Sequence, residues 1–574
     1  MTLQQLGVIG LLLALIAGLI FSKRSPALWF GGALLLSYLV GWQPLEKALT
    51  NFSNPSLITL MLLLLVSLAI EKSQLVSWLS RSFSGQNLSL VVARLSLASG
   101  FLSSFVNNTA VVSTLMASLR QHPHFAASRL LIPLSYSAIL GGMLTLIGTS
   151  TNLIVNGFVE EAGHASLGFF DFTLLGLIAF GAGLLVLIVG AHFLPDTGKD
   201  EQTAAPYYVS ARVADGSQLI GKSVSDNGLR ELQQLFLAEI QRGEQLICPV
   251  KPESVLEPGD ELHFVGDLQA VSKLHNVPGL TLVPGEAEHS GELMEAAISY
   301  SSKLVGKTLK QVRFREQYNA AVIAVRRGHE RLNGGLGNLV LHAGDVLILA
   351  TGKDFPGQNE LGQDFIYVNG LAISQPLPAK RSHWVLGTFA LTLVLSMLEL
   401  VPLVKSLPVL LVLYLASSVI SVNELKRRFP LELFIIVGSA IGLAQLMIQS
   451  GVAGMIAAGL NQLVAGYGPY GALIAIFVAT WLFTEVVTNN AAAALTFPIA
   501  YAMALELGTS PLPFFMAVAF GASASFISPF GYQTNLMVYS AGNYQLKDYA
   551  RIGIPMALVY STVVLLCLPH IYPF

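Results

Sequence analysis

Twelve apolar runs, six on each side of a charged middle segment, constrain this chain more than any other feature of its sequence. They fall near 6–22, 27–43, 56–70, 88–103, 128–147 and 173–194, and again near 383–404, 406–422, 431–450, 470–487, 511–527 and 553–571. A helix needs roughly 20 apolar residues to cross the hydrocarbon core of a bilayer. Several runs are shorter or carry polar residues, so some segments are expected not to cross cleanly. Hydrophobic residues make up 53% of the chain and charged residues 11%, against about 25% charged in an average soluble domain. A soluble protein has no way to bury so much apolar surface, whereas a bilayer takes it up. The chain therefore reads as an α-helical polytopic protein of the cell's inner (plasma) membrane.

Composition divides it into a membrane half over 1–196, a charged middle segment and a second membrane half over 380–574, and an internal repeat divides the middle into soluble domains over 207–285 and 289–372. The first apolar run is followed, not preceded, by Lys23 and Arg24 and has no small-residue cleavage site, so it reads as a span and not a signal peptide. Lys and Arg near span ends favour the cytoplasmic side. Lys23, Arg24, Arg81, Arg120, Arg129, Lys380, Arg381, Lys426, Arg427 and Arg428 then share that side. This puts the N-terminus and C-terminus outside and residues 197–380 in the cytoplasm.

The membrane halves repeat one another. The first holds Phe105-Val106-Asn107-Asn108-Thr109-Ala110 and, later, Gly148-Thr149-Ser150-Thr151-Asn152-Leu153. The second holds Val487-Thr488-Asn489-Asn490-Ala491 and, later, Gly531-Tyr532-Gln533-Thr534-Asn535-Leu536. With this topology the two Asn-Asn elements are reached from opposite sides, as in an inverted repeat whose binding site forms at the midplane from broken helices. Asn, Thr and Ser at membrane depth often only join helices; two matching clusters at matching places point to a site. A broken helix frees carbonyl oxygens, which with amide and hydroxyl oxygens suit a hard cation such as Na⁺. Helix N-termini suit an anion. None of the four elements contains Lys or Arg, so a bound anion would be balanced by cations, dipoles and amides. Glu485, beside the second Asn-Asn element, reads equally as a functional acid or as a brace of the loop.

The insert repeats as well. Ser217–Ser223 matches Ser302–Thr308, and Glu257–Leu262 matches His342–Leu347, including Ala343. Gly216–Ser223 fits the P-loop pattern, but the second copy has Ser301 where the first Gly should stand, so the shared end reads as a structural turn. Cys248 and Cys567 make no disulfide framework, and the eleven histidines lack metal-ligand spacing. No nucleophile–base constellation supports an enzyme, and a net charge of −2 gives no sign of nucleic-acid binding.

The stretch Ala522–Val538, with Ser528-Pro529-Phe530-Gly531 and Thr534-Asn535-Leu536, resembles the signature of the divalent anion/sodium symporter family, although that signature has an aliphatic residue at Phe530. Both tips resemble the family's Ser-Asn-Thr elements, with Asn107 and Thr488 each standing for a Ser. The resemblance implies a homodimeric elevator-type permease with two re-entrant hairpins and broken helices. It implies one sodium site from Asn107, Asn108, Thr109, Gly148, Thr149, Thr151 and Asn152, and another from Thr488, Asn489, Gly531, Thr534 and Asn535. The anion would sit against Asn108, Thr109, Ser150, Asn489, Asn490 and Pro529, with no cofactor beyond Na⁺ as coupling ion. Dicarboxylate carriers of the family have Thr where Asn490 stands. The insert resembles a tandem pair of TrkA-C domains, α+β modules that take a small cytoplasmic ligand. Family members with such an insert look like the sulfate-transporting branch. The reading is thus sodium-coupled sulfate import. A dicarboxylate or other oxyanion symporter, proton coupling, and a ligand-gated channel stand as alternatives, the channel lacking a Thr-Val-Gly-Tyr-Gly filter.

Overall fold

Every apolar run of the sequence coincides with a helix. The computed structural model describes the chain apart from residues 1, 23, 75–82, 84, 120, 121, 123, 197–206, 230–234, 244, 248–249, 267–276, 283–292, 299–301, 328–329, 333–335, 343, 352–363 and 369–376. Lys23, Arg81, Arg120, Cys248, Ser301, Ala343 and the inner domain limits at 285, 289 and 372 lie outside the described residues. Two compact units result: residues 1–195, 376–535 and 546–574 form one, and 196–375 with 536–545 the other.

The first unit is helical. Short polar residues start its helices: Thr2 forms a capping box with Gln5 ahead of Leu3–Phe21, Ser25 caps Pro26–Leu39, and Asn54 caps Pro55–Glu71 by accepting from the N–H groups of Ser56 and Leu57. Among the described residues six helices are long and apolar enough to cross a membrane: Leu3–Phe21, Thr173–Phe193, Leu431–Gln449, Gly468–Val486, Asn489–Leu507 and Leu546–Ile571. Other apolar helices are shorter, including Leu88–Ser103 and Leu512–Ala522. At about 1.5 Å per residue, 16 residues reach only some 24 Å, less than the roughly 30 Å hydrocarbon core.

Burial in this unit is the reverse of that in a soluble protein. Leu13, Leu28, Leu39, Leu185, Val412 and Leu558 face outward and are more than half exposed, while Ser96, Ser99, Ser103, Ser135 and Ser137 are fully buried. Small residues let helices close in. A Cβ on Gly141 of Leu131–Gly142 would come within 2.2 Å of the Gly100 carbonyl oxygen in Leu88–Ser103. The Ser99 and Ser137 hydroxyls bond across the same contact at 2.6 Å.

The second unit contains two five-stranded antiparallel sheets. Strands β1 (Tyr207–Val213), β2 (Leu235–Arg242), β3 (Gln245–Ile247), β4 (Glu261–Gly266) and β5 (Leu280–Leu282) are ordered β3-β2-β4-β1-β5. Strands β6 (Leu293–Ile298), β7 (Ala320–Arg327), β8 (Glu330–Leu332), β9 (Val346–Thr351) and β10 (Phe365–Val368) are ordered β10-β6-β9-β7-β8, which is the same arrangement read from the other edge. The bulges of the β2–β4 and β7–β9 pairs correspond too, at Leu237/Glu239 and Val322/Ala324.

The same ion pair staples each copy. Arg242 grips the fully buried Asp260 with two bonds of 2.8 Å and also donates to the Val255 carbonyl. Arg327 grips the buried Asp345 at 2.7 and 2.8 Å and donates to the Val340 carbonyl. The P-loop-like turn is likewise common to both. Gly221 and Gly306 take φ of +78° and +77°, and their N–H groups are spent on the carbonyls of Leu256 and Leu341, so neither is free to cradle a phosphate.

Arg327→Ala strands the Asp345 carboxylate in the sheet. It is expected to lower the opening free energy of the β7–β9 amides by about 2–3 kcal/mol, since the arginine is partly exposed. Hydrogen exchange on the full-length protein reads this directly, and protection of β2 and β4 should be unchanged. Burial raises the Glu239 carboxyl above its ordinary range. The folded sheet then holds this proton more tightly than the unfolded chain does, so the contribution is whole below the ordinary carboxylate range and is lost as pH climbs through the raised value. Glu239→Gln is expected to remove that loss, so that β2 opening free energies at about pH 5 and about pH 8 converge.

Candidate functional site

Four helices start at the breaks that the repeats mark. In the first half, Leu88–Ser103 is followed after a turn by Asn108–Leu119, and Leu131–Gly142 by Ser150–Glu161. In the second half, Gly468–Val486 is followed by Asn489–Leu507, and Leu512–Ala522, after a non-helical stretch, by Gln533–Ala541. Asn107 caps the first of these new helices through its side-chain oxygen and the Thr109 N–H at 3.0 Å, and Thr488 caps the third through the Ala491 N–H.

The side chains that open these helices bond across the two halves. Asn108 Nδ2 donates to the Tyr532 hydroxyl at 2.7 Å, and Thr109 Oγ1 to Gln533 Oε1 at 3.3 Å. Ser150 Oγ donates to Asn490 Oδ1 at 2.9 Å, and Asn489 Nδ2 to Thr151 Oγ1 at 2.9 Å. The tip of each half is thus joined to the loop of the other, and the first turns of four helices meet in one place. Their free N–H groups and dipoles make that place attractive to negative charge. The sequence reading groups each tip with the loop of its own half. Asn108 and Thr149 are joined through Tyr532, whose hydroxyl lies 3.2 Å from Thr149 Oγ1.

Each loop is braced from within its own half. Asn152 Nδ2 donates to the Thr145 carbonyl, and Asn535 Nδ2 to the Ser525 carbonyl, at 2.9 and 2.8 Å. The two glycines serve close approach: a Cβ on Gly148 would meet the Gly142 carbonyl oxygen at 2.5 Å, and one on Gly531 the Thr484 carbonyl oxygen at 2.3 Å. Pro529 is buried in the non-helical stretch. Thr151, Asn152, Thr534 and Asn535 are at most 1% exposed. Asn152 Oδ1 is buried with no protein partner, an oxygen of the kind a hard cation takes. Glu485 acts as a brace: its carboxylate accepts from the N–H groups of Phe526, Ile527 and Ser528 at 3.0–3.1 Å.

Some residues of this layer are not singled out by the sequence reading. Ser135 donates to Asn535 Oδ1 at 2.7 Å and lies 2.8 Å from Thr534 Oγ1, whose hydroxyl can donate to it, yet it is a serine in an apolar run. Ser103 donates to Asn108 Oδ1 at 2.5 Å. Tyr532 and Gln533 lie inside the repeated loop motif, but as the two positions where its copies differ most they carry no signal by similarity.

The family model for citrate transporters, CitMHS, matches residues 11–519. A protein of Chlamydomonas reinhardtii that carries the name of a sulfur deprivation response regulator is 31% identical over 92% of this chain and 95% of its own length. A Synechocystis protein named as an uncharacterized transporter is 30% identical over 92% of this chain and 90% of its own. Sodium/sulfate cotransporter 1 of Chlamydomonas reinhardtii is 32% identical over 61% of this chain and 42% of its own. With its apolar helices, its repeated broken elements and a family match across both membrane halves, the chain belongs to the citrate transporter (CitMHS) family and is a multi-pass membrane permease, not an enzyme.

Proposed function

We propose that this permease imports a small divalent anion, sulfate first, together with sodium ions. The observation that carries the reading is the meeting of four helix N-termini in a layer lined by amides and hydroxyls, with no Lys or Arg in the tips or loops. Backbone N–H groups and dipoles supply the attraction for the anion, and cations that enter with it balance its charge. Asn107, Asn108, Thr109, Gly148, Thr149, Thr151 and Asn152 serve the first sodium ion. Thr488, Asn489, Gly531, Thr534 and Asn535 serve the second. The anion rests against Asn108, Thr109, Ser150, Asn489, Asn490 and Pro529. The name of the sodium/sulfate cotransporter among the relatives supports the choice of ion and substrate. The family's own name keeps citrate-like carboxylates as the second reading.

In the same proposal the chain works as a homodimer in the inner membrane, with an elevator motion and with the insert in the cytoplasm. The two sheets of the insert, alike in strand order and stapled alike, support a tandem TrkA-C pair that senses a small ligand.

The test is radiolabelled sulfate uptake into proteoliposomes with and without an inward sodium gradient. Uptake is expected to depend on sodium, and Asn108→Ala is expected to reduce it by at least about tenfold, since the change removes a buried amide that holds two partners. Uptake without sodium under an imposed proton gradient would move the coupling to protons. Sulfate uptake that is absent, with sodium-driven uptake of a dicarboxylate in its place, would establish the second reading.

A further inference from the structure

On the proposed reading the first sodium ion sits where the first tip meets the first loop. That junction is completed from the other half of the molecule. The Tyr532 hydroxyl takes the Asn108 Nδ2 hydrogen at 2.7 Å and lies 3.2 Å from Thr149 Oγ1. The opposite side of the Asn108 amide is fixed too: Oδ1 accepts from Ser103 Oγ at 2.5 Å, and a Cβ on Gly142 would come within 2.6 Å of it. Tyr532, Asn108 and Thr149 are 7%, 2% and 5% exposed, so water offers none of them an easy substitute.

The repeat gives this contact a second meaning. In Gly531–Leu536, Tyr532 occupies the place that Thr149 occupies in Gly148–Leu153. Equivalent residues of an inverted repeat touch each other only near the pseudo-twofold axis that relates the halves. The pair therefore marks that axis. It also breaks the symmetry there, with a hydroxyl on Cβ on one side and a hydroxyl at the far end of a phenyl ring on the other.

We infer that Tyr532 is a positioning residue of the first sodium site. It orients Asn108 and Thr149 toward one ion, and it makes that geometry depend on where the second half's loop stands. This rests on the sodium coupling proposed above. What matters is the hydroxyl, because the ring alone is kept by phenylalanine.

Purified full-length protein in detergent is titrated with NaCl against choline chloride at constant ionic strength, with Tm as readout. Sulfate uptake in proteoliposomes supplies the half-saturating sodium concentration and the maximal rate. Tyr532→Phe is expected to raise the half-saturating sodium concentration about tenfold, with the maximal rate at saturating sodium held within about twofold. Thr149→Val should act in the same direction, and the double variant should lose less than the sum of the two single variants, because the bond between the two hydroxyls is lost in both. A Tyr532→Phe protein that titrates sodium as the wild type does, while its Tm in choline falls, overturns the inference and leaves a structural hydroxyl. Additive losses in the double variant overturn it as well. A wild type that shows no Tm response to sodium defeats the sodium reading, and this inference with it; a responsive wild type with an identical variant defeats the inference alone.

Discussion

Hydrocarbon offers no hydrogen bonds, so each polar group at membrane depth must find its partner in protein or ligand, and this requirement governs the rest of the structure. Interrupting four helices inside the membrane unit exposes four sets of N–H groups and their side chains. The two halves meet the requirement by exchange: Asn108 and Thr109 bond to Tyr532 and Gln533, while Asn489 and Asn490 bond to Thr151 and Ser150. Neither half is complete alone. Any motion that parts a tip from the opposite loop leaves buried amides unpaired, at about 1–3 kcal/mol each, unless something polar replaces the lost partner. On the proposed function, anion and cations are those replacements. The cost of moving an empty carrier and the gain on loading it then arise from the same set of bonds.

The loops need rigidity for this exchange to be exact, and their bracing uses main chain wherever it can. Glu485 fixes three successive N–H groups with one carboxylate, and Asn152 and Asn535 each reach back to a carbonyl earlier in their own loop. Gly148 and Gly531 allow the backbones to touch. From the other half, Ser135 and Tyr136 of one helix brace the second loop, through the Asn535 side chain and the Phe526 carbonyl.

Much of this was legible in the sequence, and the remainder was hidden for definite reasons. Apolar runs located twelve helices because hydrophobicity is read locally. The repeated Gly…Thr-Asn-Leu and Asn-Asn elements located the breaks because both halves preserve them. Helices such as Asn108–Leu119, Ser150–Glu161 and Asn489–Leu507 went unread as helices, since each opens with the polar residues that mark the break and so dilutes its own apolar signal. The exchange between halves was out of reach for a different reason. Its partners are 338 to 424 residues apart, and a repeat shows which residues are equivalent without showing which ones touch.

Both duplications in the chain sort residues in the same way. In the insert, the Arg–Asp staple, the positive-φ glycine and the bulge recur at a constant offset, because each meets a demand of the backbone. On the sheet face opposite the core the copies diverge: Ser210, Glu239 and His263 in one stand where Glu295, Ala324 and Ile348 stand in the other. The membrane halves keep Gly148 and Gly531, Thr151 and Thr534, Asn152 and Asn535, and they diverge at Thr149 against Tyr532 and Ser150 against Gln533. Positions held in common meet a demand that both copies share. Positions that differ are free of that demand, and in the membrane they lie at the meeting point of the halves. A symmetric pair of folds thus encloses an asymmetric lining, which is what a permease needs if ions and anion are to occupy different places in one site.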